Sequence, residues 1–338
     1  MPWPVSSRVS TRSAAFKRNE GVKLELLGRE PTTRVEQADA RRKKFIAVGF
    51  VLGVVAFALV VVAALERSAP PSRCAAGMVL LGPRCCGEGQ HLEGDRCVGE
   101  PSQCAVGLTV TKLGCVAPAR IVPITGGVLR IGPGDWEAQG QVTPRTVDVP
   151  SFAIDAYEVN EDRYLECVVA SACVDTKSFS GEPGRALGWI TQAEAARFCA
   201  WAGGSLPSAE QLAFAAAGPQ GRRYAWGDTG AVCRRAAWGL VRGPCAMGAT
   251  GSEITGSHPD GVSPDGVHDL AGNVAEWTAP SSADAALVDV RGGSFTDGAA
   301  SALRSWHRRQ LAAKSRLADV GFRCVYPLAS AGGPERSR

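Results

Sequence analysis

The segment Asp269–Trp277, with the sequence Asp-Leu-Ala-Gly-Asn-Val-Ala-Glu-Trp, offers several oxygen ligands at short spacing. Asp269 and Glu276 can supply carboxylates, and Gly272 and Val274 can supply backbone carbonyls. Calcium prefers hard oxygen ligands of this kind in a loop. The segment therefore predicts a Ca²⁺ site. The alternative is that Asp269 caps a turn and Glu276 bonds the backbone.

A second group of chemically capable residues lies nearer the C-terminus, in the run Trp306-His307-Arg308-Arg309. It combines an aromatic ring, a titratable ring and two guanidinium groups. Together with Arg291, such groups can bind a carboxylate, a sugar or a peptide. The alternative is that Trp306 packs in the interior and the arginines are solvated. We take Arg291, Trp306, His307 and Arg308 as pocket candidates.

The cysteines form a pattern of their own, because all 12 lie after residue 73. An even number in one part of a chain is typical of disulfides in an oxidising compartment. Three units each enclose ten residues between two cysteines, and the simplest of the 15 pairings of these six closes each unit on itself. These units are Cys74–Cys85, Cys86–Cys97 and Cys104–Cys115. A metal site is the alternative, but no Cys-x-x-Cys occurs and His91 is the only histidine here. We predict that residues 74–115 form a disulfide-rich stalk.

An uncharged apolar run of 21 residues, Phe45–Leu65, precedes the cysteines. As a helix it is long enough to span a bilayer. Arg41-Arg42-Lys43-Lys44 stand directly before it, so the positive-inside rule places residues 1–44 in the cytoplasm and residues 66–338 outside. A cleaved signal peptide is the alternative, but both the lead and the run are long for one. The sequence predicts a single-pass anchor in the inner (cell) membrane and a periplasmic or extracellular C-terminal part.

Charge separates the tail from the rest of the chain. Residues 1–44 hold 11 Lys/Arg and 5 Asp/Glu, whereas the remainder holds 26 and 28. The net charge of +4 is too small and too unevenly placed to indicate a nucleic-acid partner. We expect the basic tail to be mostly disordered. Gly49 and Gly53 form a G-x-x-x-G in the apolar run, which lets two helices approach closely, so a homodimer is one reading and a monomer the other.

We predict one globular domain over residues 121–328. An exposed linker (66–73) and the stalk precede it, and a flexible C-terminus (329–338) follows it. Two helix starts are marked by capping boxes, Thr191-Gln-Ala-Glu194 and Ser208-Ala-Glu-Gln211, and a third helix begins near Asn160. Short strands are predicted at Val128–Ile131, Val147–Ile154, Val288–Gly292 and Gly321–Tyr326. Residues 218–267 are dense in Gly, Asp and Pro, which is typical of loops. Few regular elements among ordered loops predict an α+β fold.

Several motifs of this domain resemble those of the formylglycine-generating enzyme, or sulfatase-modifying factor, family. In chain order they are Phe152-Ala-Ile-Asp155, Tyr157-Glu-Val159, Tyr164, Ala200-Trp-Ala-Gly-Gly-Ser-Leu-Pro-Ser208, Asp269–Trp277, Arg291-Gly-Gly-Ser-Phe295 and Gly321-Phe-Arg-Cys324. The resemblance covers residues 121–328. It implies a C-type-lectin-like α+β fold, low in regular secondary structure and stiffened by Ca²⁺, with Asp269–Trp277 as a calcium loop.

The resemblance also exposes a departure in the catalytic residues. Enzymes of this family oxidise a sulfatase cysteine with copper and O₂ at two cysteines that lie between the last two motifs. Here the interval Phe295–Phe322 holds no cysteine, and Ala302 and His307 stand near the expected positions. Copper(I) is soft and needs thiolate ligands. The branch of the family that binds iron through histidines uses an added helical domain that this chain lacks. No copper or iron is expected, and no catalytic residue is assigned.

The resemblance further implies a disulfide between Cys199 and Cys324. That leaves Cys167 with Cys173, and Cys233 with Cys245, each as a short local loop. No spare thiol then remains for redox or nucleophilic chemistry.

Three functions fit these observations. The first is a membrane-anchored exported binding or scaffold module, a pseudoenzyme whose pocket takes an unidentified protein, peptide or glycan ligand. The second is a sulfatase-cysteine-oxidising or related metal-dependent oxidase with an unusual site that includes His307. The third is a signalling part whose tail carries a message inward. The missing cysteine pair favours the first and the third.

Overall fold

The computed structural model describes residues 41, 48–57, 73–132, 142–176, 178–246, 248–282 and 285–328. Most of the predicted tail, the linker up to residue 72 and the C-terminus 329–338 lie outside the described residues. Of the predicted membrane span, residues 48–57, with Gly49 and Gly53, are described, and they are helical. Among the described residues, no helix is both long and apolar enough to cross a bilayer. The membrane span and the dimer therefore stay predictions.

The chain divides into two units, Met1–Pro70 and Pro71–Arg338. Three α-helices and fifteen short strands are described in the second unit. The helices are α1 (Glu161–Val169), α2 (Gln192–Trp201) and α3 (Ala209–Ala217). The strands up to residue 131 are β1 (Met78–Leu81), β2 (Arg84–Gly87), β3 (His91–Glu93), β4 (Arg96–Val98), β5 (Thr109–Val110), β6 (Cys115–Val116), β7 (Ile121–Ile124) and β8 (Gly127–Ile131). The later strands are β9 (Arg145–Val149), β10 (Phe152–Asp155), β11 (Ala275–Trp277), β12 (Leu287–Arg291), β13 (Arg308–Ala312), β14 (Val320–Gly321) and β15 (Val325–Tyr326). Short strands and few helices confirm the mixed α and β character.

The cysteine-rich segment consists of three hairpins, β1–β2, β3–β4 and β5–β6. Each unit is closed on itself by the predicted disulfide, Cys74–Cys85, Cys86–Cys97 or Cys104–Cys115. So small a unit cannot bury a core of its own, which explains why covalent closure is needed.

This segment, which we expected to project as a stalk, packs against the rest of the second unit. Ile254 of the long loop lies in one apolar cluster with residues of the hairpins, among them Met78 and Ala105. Arg84 on β2 is fully buried and donates to Glu182 at 2.9 Å. The backbone N–H of Cys97 donates to the other oxygen of Glu182, also at 2.9 Å. The hairpins are therefore held by apolar contacts and by a buried ion pair.

The helix starts follow the sequence closely, because a capping side chain marks each of them. Asn160 caps α1 by accepting from the N–H of Arg163. Thr191 and Ser208 begin α2 and α3 with complete capping boxes. A capping side chain satisfies backbone donors that have no partner within the helix, which is why such starts can be predicted.

Two predicted strands are each divided in the structure. The predicted strand Val147–Ile154 is split into β9 and β10, because Pro150 has no N–H to donate to a ladder. The predicted strand Gly321–Tyr326 is split because the chain changes sheets: β14 pairs parallel with β11, whereas β15 pairs antiparallel with β10. The residues between them are buried and connect the three-stranded sheet β15–β10–β7 to the four-stranded sheet β13–β12–β11–β14.

The remaining three disulfides also join the expected partners: Cys167–Cys173, Cys199–Cys324 and Cys233–Cys245. The bond between Cys199 and Cys324 ties α2 to the residue before β15 across a sequence separation of 125. It lies in the apolar core with Phe198 and Phe322, whose rings meet edge to face at 5.4 Å. The long bond thus reinforces the contact between helix and sheet.

Candidate binding cleft

Two neighbouring cavities, of about 290 and about 390 Å³, share the lining residues Ile131, Arg291 and Trp306. We refer to the two together as the cleft. Cavities of this size are typical of sites for small organic ligands or single side chains. His307 and Arg308 line the second cavity. The structure therefore brings all four pocket candidates of the sequence to one place.

The position of Arg291 follows from the end of strand β12. Gly292 and Gly293 follow it with φ of 94° and 68°, which glycine adopts without strain. A Cβ on Gly293 would lie 2.6 Å from the carbonyl oxygen of Ala302, so a glycine is needed for the turn Ala300–Leu303 to come this close. That turn leads directly into the segment that carries Trp306.

The wall of the first cavity includes apolar residues from two elements. Strand β8 contributes Leu129 and Ile131, and helix α3 contributes Ala213 and Ala217. The sequence did not mark these residues as site residues, because they come from separate elements and share no local spacing. The result is an apolar surface beside a cationic one.

Arg291 is the buried cation of the cleft, with 6% of its surface exposed. Its Nη1 donates weakly to the carbonyl oxygen of His307 at 3.4 Å. Its Nε is buried and has no hydrogen-bond partner among the described residues. Burial lowers the pKa of this guanidinium, an effect that Asp289 and Glu210 oppose and the neighbouring Arg308 and Arg145 reinforce.

The other arginines of the cleft have partners. Arg145 donates to Glu210 at 2.9 Å, and Arg308 donates to Asp289 at 3.1 Å. Arg222 donates to the carbonyl of Ala216 at the end of α3, where a cation is favoured by the helix dipole. Arg130 donates to the carbonyl of Pro219. Arg291 differs from all four in being buried, and from Arg145 and Arg308 in having no ion pair with a carboxylate among the described residues.

Trp306 and His307 lie next to Arg291 with their rings stacked, the centroids 6.1 Å apart. The indole Nε1 of Trp306 is buried and has no partner in the described part of the chain. Burial lowers the pKa of His307, an effect that the neighbouring Arg291 and Arg309 reinforce and Asp297 opposes. The imidazole is therefore neutral at pH 7, and the positive charge of the cleft comes from guanidinium groups.

The residues near the expected catalytic positions do not fit copper. Ala302 is buried in its turn and lines neither cavity, whereas His307 lines the second. All 12 cysteines of the sequence are described, and all are in the six disulfides. The chain therefore offers no thiolate to a soft metal ion. Within the described ranges, no three His, Cys, Asp or Glu residues are grouped so as to hold a metal ion.

The four predicted calcium ligands are arranged around contacts made by the protein itself. Glu276 accepts from Arg323 through both carboxylate oxygens at 2.7 Å, and Asp269 accepts from the N–H of Gly256 at 2.6 Å. Gly272 and Val274 lie in the same loop. The guanidinium already occupies the oxygens of Glu276, so this donor set does not fit Ca²⁺. We derive no chemistry from a metal here; the calcium site predicted from the ligand types has yet to be measured, and this misfit leads us to expect no specific calcium binding.

Glu158 lies beside this loop. The sequence analysis includes it only within the motif Tyr157-Glu-Val159 and assigns it no contact with the loop. It accepts from the side-chain amide of Asn273 at 2.6 Å and from the N–H of Val274 at 3.0 Å. Burial, with Asp269 and Glu276 nearby, raises its pKa well above the usual range. Glu158 is distant in sequence from the segment Asp269–Trp277, and these contacts fix the backbone of that segment. The segment therefore has a structural role.

Comparisons with known proteins place this geometry in context. A model of the sulfatase-modifying factor enzyme 1-like domain matches residues 112–328. The structure of PvdO from Pseudomonas aeruginosa is similar with 19% identity and a TM-score of 0.51, over 62% of this chain and 94% of that one. Crystalline CarF aligns with 18% identity and a TM-score of 0.47, over 63% of this chain and 99% of that one. No match is found among curated protein sequences. At such identity the likeness to PvdO supports the fold alone.

Proposed function

The chain belongs to the sulfatase-modifying factor enzyme 1-like family, and on that basis we propose that it is a non-catalytic binding module of a membrane-anchored, exported protein. The observation that carries the proposal is the state of the cysteines. Each of the 12 is joined to another in a disulfide. A copper-dependent oxidation of a substrate thiol has no ligands for its metal in this chain.

The cleft supports a binding role in place of the oxidation. It keeps a cavity, a half-buried aromatic ring and a buried guanidinium whose Nε has no partner in the part of the chain that the structure describes. Unsatisfied buried donors are costly in a folded protein, and a bound ligand is one way to satisfy them. The oxidase framework is thus retained for holding a ligand.

The decisive experiment asks for aldehyde formation. The full chain is purified, supplied with copper and O₂, and incubated with a peptide that carries a sulfatase-type cysteine. Mass spectrometry of the peptide should show an unchanged cysteine, and elemental analysis of the chain should show no stoichiometric copper or iron. Aldehyde that disappears in His307→Ala, but not in the exposed-histidine control His91→Ala, would overturn the proposal in favour of an oxidase with an unusual site.

The membrane anchor and the export are supported by the sequence and by the disulfides. The apolar run Phe45–Leu65 follows four basic residues, and six disulfides lie after it. Disulfides persist where the compartment is oxidising, so we place residues 66–338 outside the cytoplasm.

Protease protection tests this topology. In intact cells with a permeabilised outer barrier, protease should degrade residues 66–338 and leave the tail 1–44, and alkaline extraction should leave the chain in the membrane fraction. Removal of the chain by alkali, or protection of the cysteine-rich segment, would contradict the anchored topology.

A further inference from the structure

We propose that the cleft binds an oxyanion, a carboxylate or a phosphate group attached to an apolar body, with Arg291 as its anchor and the indole N–H of Trp306 as a second donor. This inference rests on the proposed function, because it names the ligand class of the same cleft.

Arg291 carries the inference because its charge is buried and its donors are incompletely used. One terminal nitrogen, Nη1, donates weakly to the carbonyl oxygen of His307 at 3.4 Å, and Nε is buried and finds no partner within the described ranges. A guanidinium offers its donors as a planar fork that fits two oxygens of a carboxylate or a phosphate. Asp289 and Glu210 attract this cation, but among the described residues no carboxylate forms an ion pair with it, so a bound oxyanion would compensate its buried charge.

Trp306 supplies an independent observation at the same point. Its indole N–H is also buried and unpartnered among the described residues, and its ring lines both cavities, as Arg291 does. A buried tryptophan N–H normally finds an acceptor. Two buried donors without a partner among the described residues thus belong to side chains from different segments that line the same two cavities, and both require an acceptor.

Charge distribution indicates how the ligand is oriented. The described lining of the second cavity includes Arg145 and Arg308 and no acidic residue. The first cavity contains Asp228, which accepts from the N–H of Arg223, beside the apolar residues Leu129 and Ala213. The oxyanion therefore faces the second cavity, and the apolar body of the ligand lies against Leu129 and Ala213 in the first.

Calorimetric titration of the purified full chain tests the assignment. The probes are benzoate, phenyl phosphate, inorganic phosphate and benzamide, the last being a neutral analogue of benzoate. We expect benzoate or phenyl phosphate to bind and benzamide to bind at least tenfold more weakly. Preference for benzoate identifies a carboxylate ligand, and preference for phenyl phosphate identifies a phosphate ligand. The difference in affinity between phenyl phosphate and inorganic phosphate measures how much the apolar body adds to binding.

Variants locate the binding. Arg291→Gln should weaken binding roughly tenfold to a hundredfold, as expected for loss of hydrogen bonds to a charged group. Arg291→Lys keeps the charge without the fork, and Trp306→Phe keeps the ring without the donor, so both should weaken binding by a smaller factor. Arg96→Gln removes an exposed charge from a residue that lines neither cavity and should change the affinity less than twofold.

The outcomes separate this inference from the proposed function. If neither anion binds, or if benzamide binds as tightly as benzoate, the oxyanion assignment is wrong while the non-catalytic role stands. If Arg291→Gln fails to fold, Trp306→Phe decides, and unchanged affinity in that variant overturns the assignment. Aldehyde production, by contrast, would remove the proposed function itself.

Discussion

Arg323 donates to both carboxylate oxygens of Glu276 at 2.7 Å, and the two side chains are 0% and 1% exposed. The pair joins two motifs that lie 47 residues apart in the sequence. Arg323 also donates to the carbonyl oxygens of Asp155 and His268. One guanidinium thus connects the segment Asp269–Trp277, the strand β10 and the chain between β14 and β15.

Replacing Glu276 by Gln should destabilise the fold strongly. The change leaves Arg323 buried without its carboxylate partner, which costs roughly 3–5 kcal/mol in comparable buried pairs. Denaturant unfolding with the disulfides intact measures the effect. Glu210→Gln, which breaks the exposed pair with Arg145, is the matched control and should cost about 1 kcal/mol or less. Equal losses of unfolding free energy in the two variants would show that the buried pair contributes no more to stability than the exposed one.

The same pair gives an expectation about calcium. Both carboxylate oxygens of Glu276 accept from Arg323, so we expect no specific stabilisation by Ca²⁺. The melting temperature should be the same in Ca²⁺ and in Mg²⁺ at equal ionic strength, and a chelator should not change it. A calcium-specific rise in melting temperature that disappears in Asp269→Asn would contradict this and restore the calcium loop expected from the ligand types.

Glu253 and His258 predict a dependence of stability on pH. The two side chains are buried and 2.6 Å apart. Burial opposes the charge of His258, but the hydrogen bond and the attraction of Glu253 outweigh it and raise its pKa above the usual 6.5. Burial likewise opposes the charge of Glu253, and His258 outweighs it, so that the pKa of Glu253 falls below the usual 4.5.

The sign of the effect follows from these directions. The raised pKa of His258 contributes stability fully below pH 6.5, and this contribution is lost as the pH rises through the folded value. The lowered pKa of Glu253 contributes stability above pH 4.5, and this is lost as the pH falls through the folded value. The pair thus contributes most to stability between pH 4.5 and pH 6.5. The difference in unfolding free energy between the native chain and His258→Gln should be largest there and shrink at alkaline pH. If the difference in unfolding free energy between the two proteins did not change with pH, this expectation would be contradicted.

Arg84→Gln should loosen the cysteine-rich segment from the domain. The variant leaves Glu182, 1% exposed, with less compensation for its buried charge, although Arg185 still donates to it at 2.8 Å. We expect a loss of roughly 3–5 kcal/mol and faster protease cleavage within residues 74–115. Arg96→Gln, an exposed change in the same segment, should alter neither measurement. An unchanged cleavage rate in Arg84→Gln would mean that the apolar contacts alone hold the segment.

The disulfides differ in what their removal should cost. In the chain-entropy model, the 125-residue separation of Cys199 and Cys324 corresponds to about 5 kcal/mol, and the six-residue separation of Cys167 and Cys173 to about 2 kcal/mol. Each pair is replaced by alanines and compared by denaturant unfolding. Similar losses would show that strain or residual structure, and not loop closure, sets the contribution.

Local signals account for the part of the structure that the sequence predicts. Thr191 and Ser208 mark helix starts because each side chain bonds a backbone donor only three residues away. The short disulfides follow from the spacing of neighbouring cysteines. The family motifs supply the overall fold and the long disulfide, neither of which a local pattern contains.

The parts that the sequence did not predict depend on contacts between distant residues. Glu276 would appear to be a metal ligand until Arg323 is seen beside it, and no spacing rule joins the two. The paired state of Arg145 and Arg308, which sets Arg291 apart, likewise depends on acidic residues of other elements. The four predicted pocket residues do line one cavity, which does not test their role, and the unequal surroundings of the arginines are visible only in three dimensions.

The order of the disulfides along the chain has a consequence for biogenesis. Five bonds join cysteines separated by 12 residues or fewer, so each can close soon after its own segment has been synthesised. Cys199 must wait until Cys324 emerges, and during that interval Cys233 and Cys245 pass beside it as competing thiols. A mispaired Cys199 is thus the off-pathway product to expect during oxidative folding, and this bond is where a disulfide isomerase should matter most.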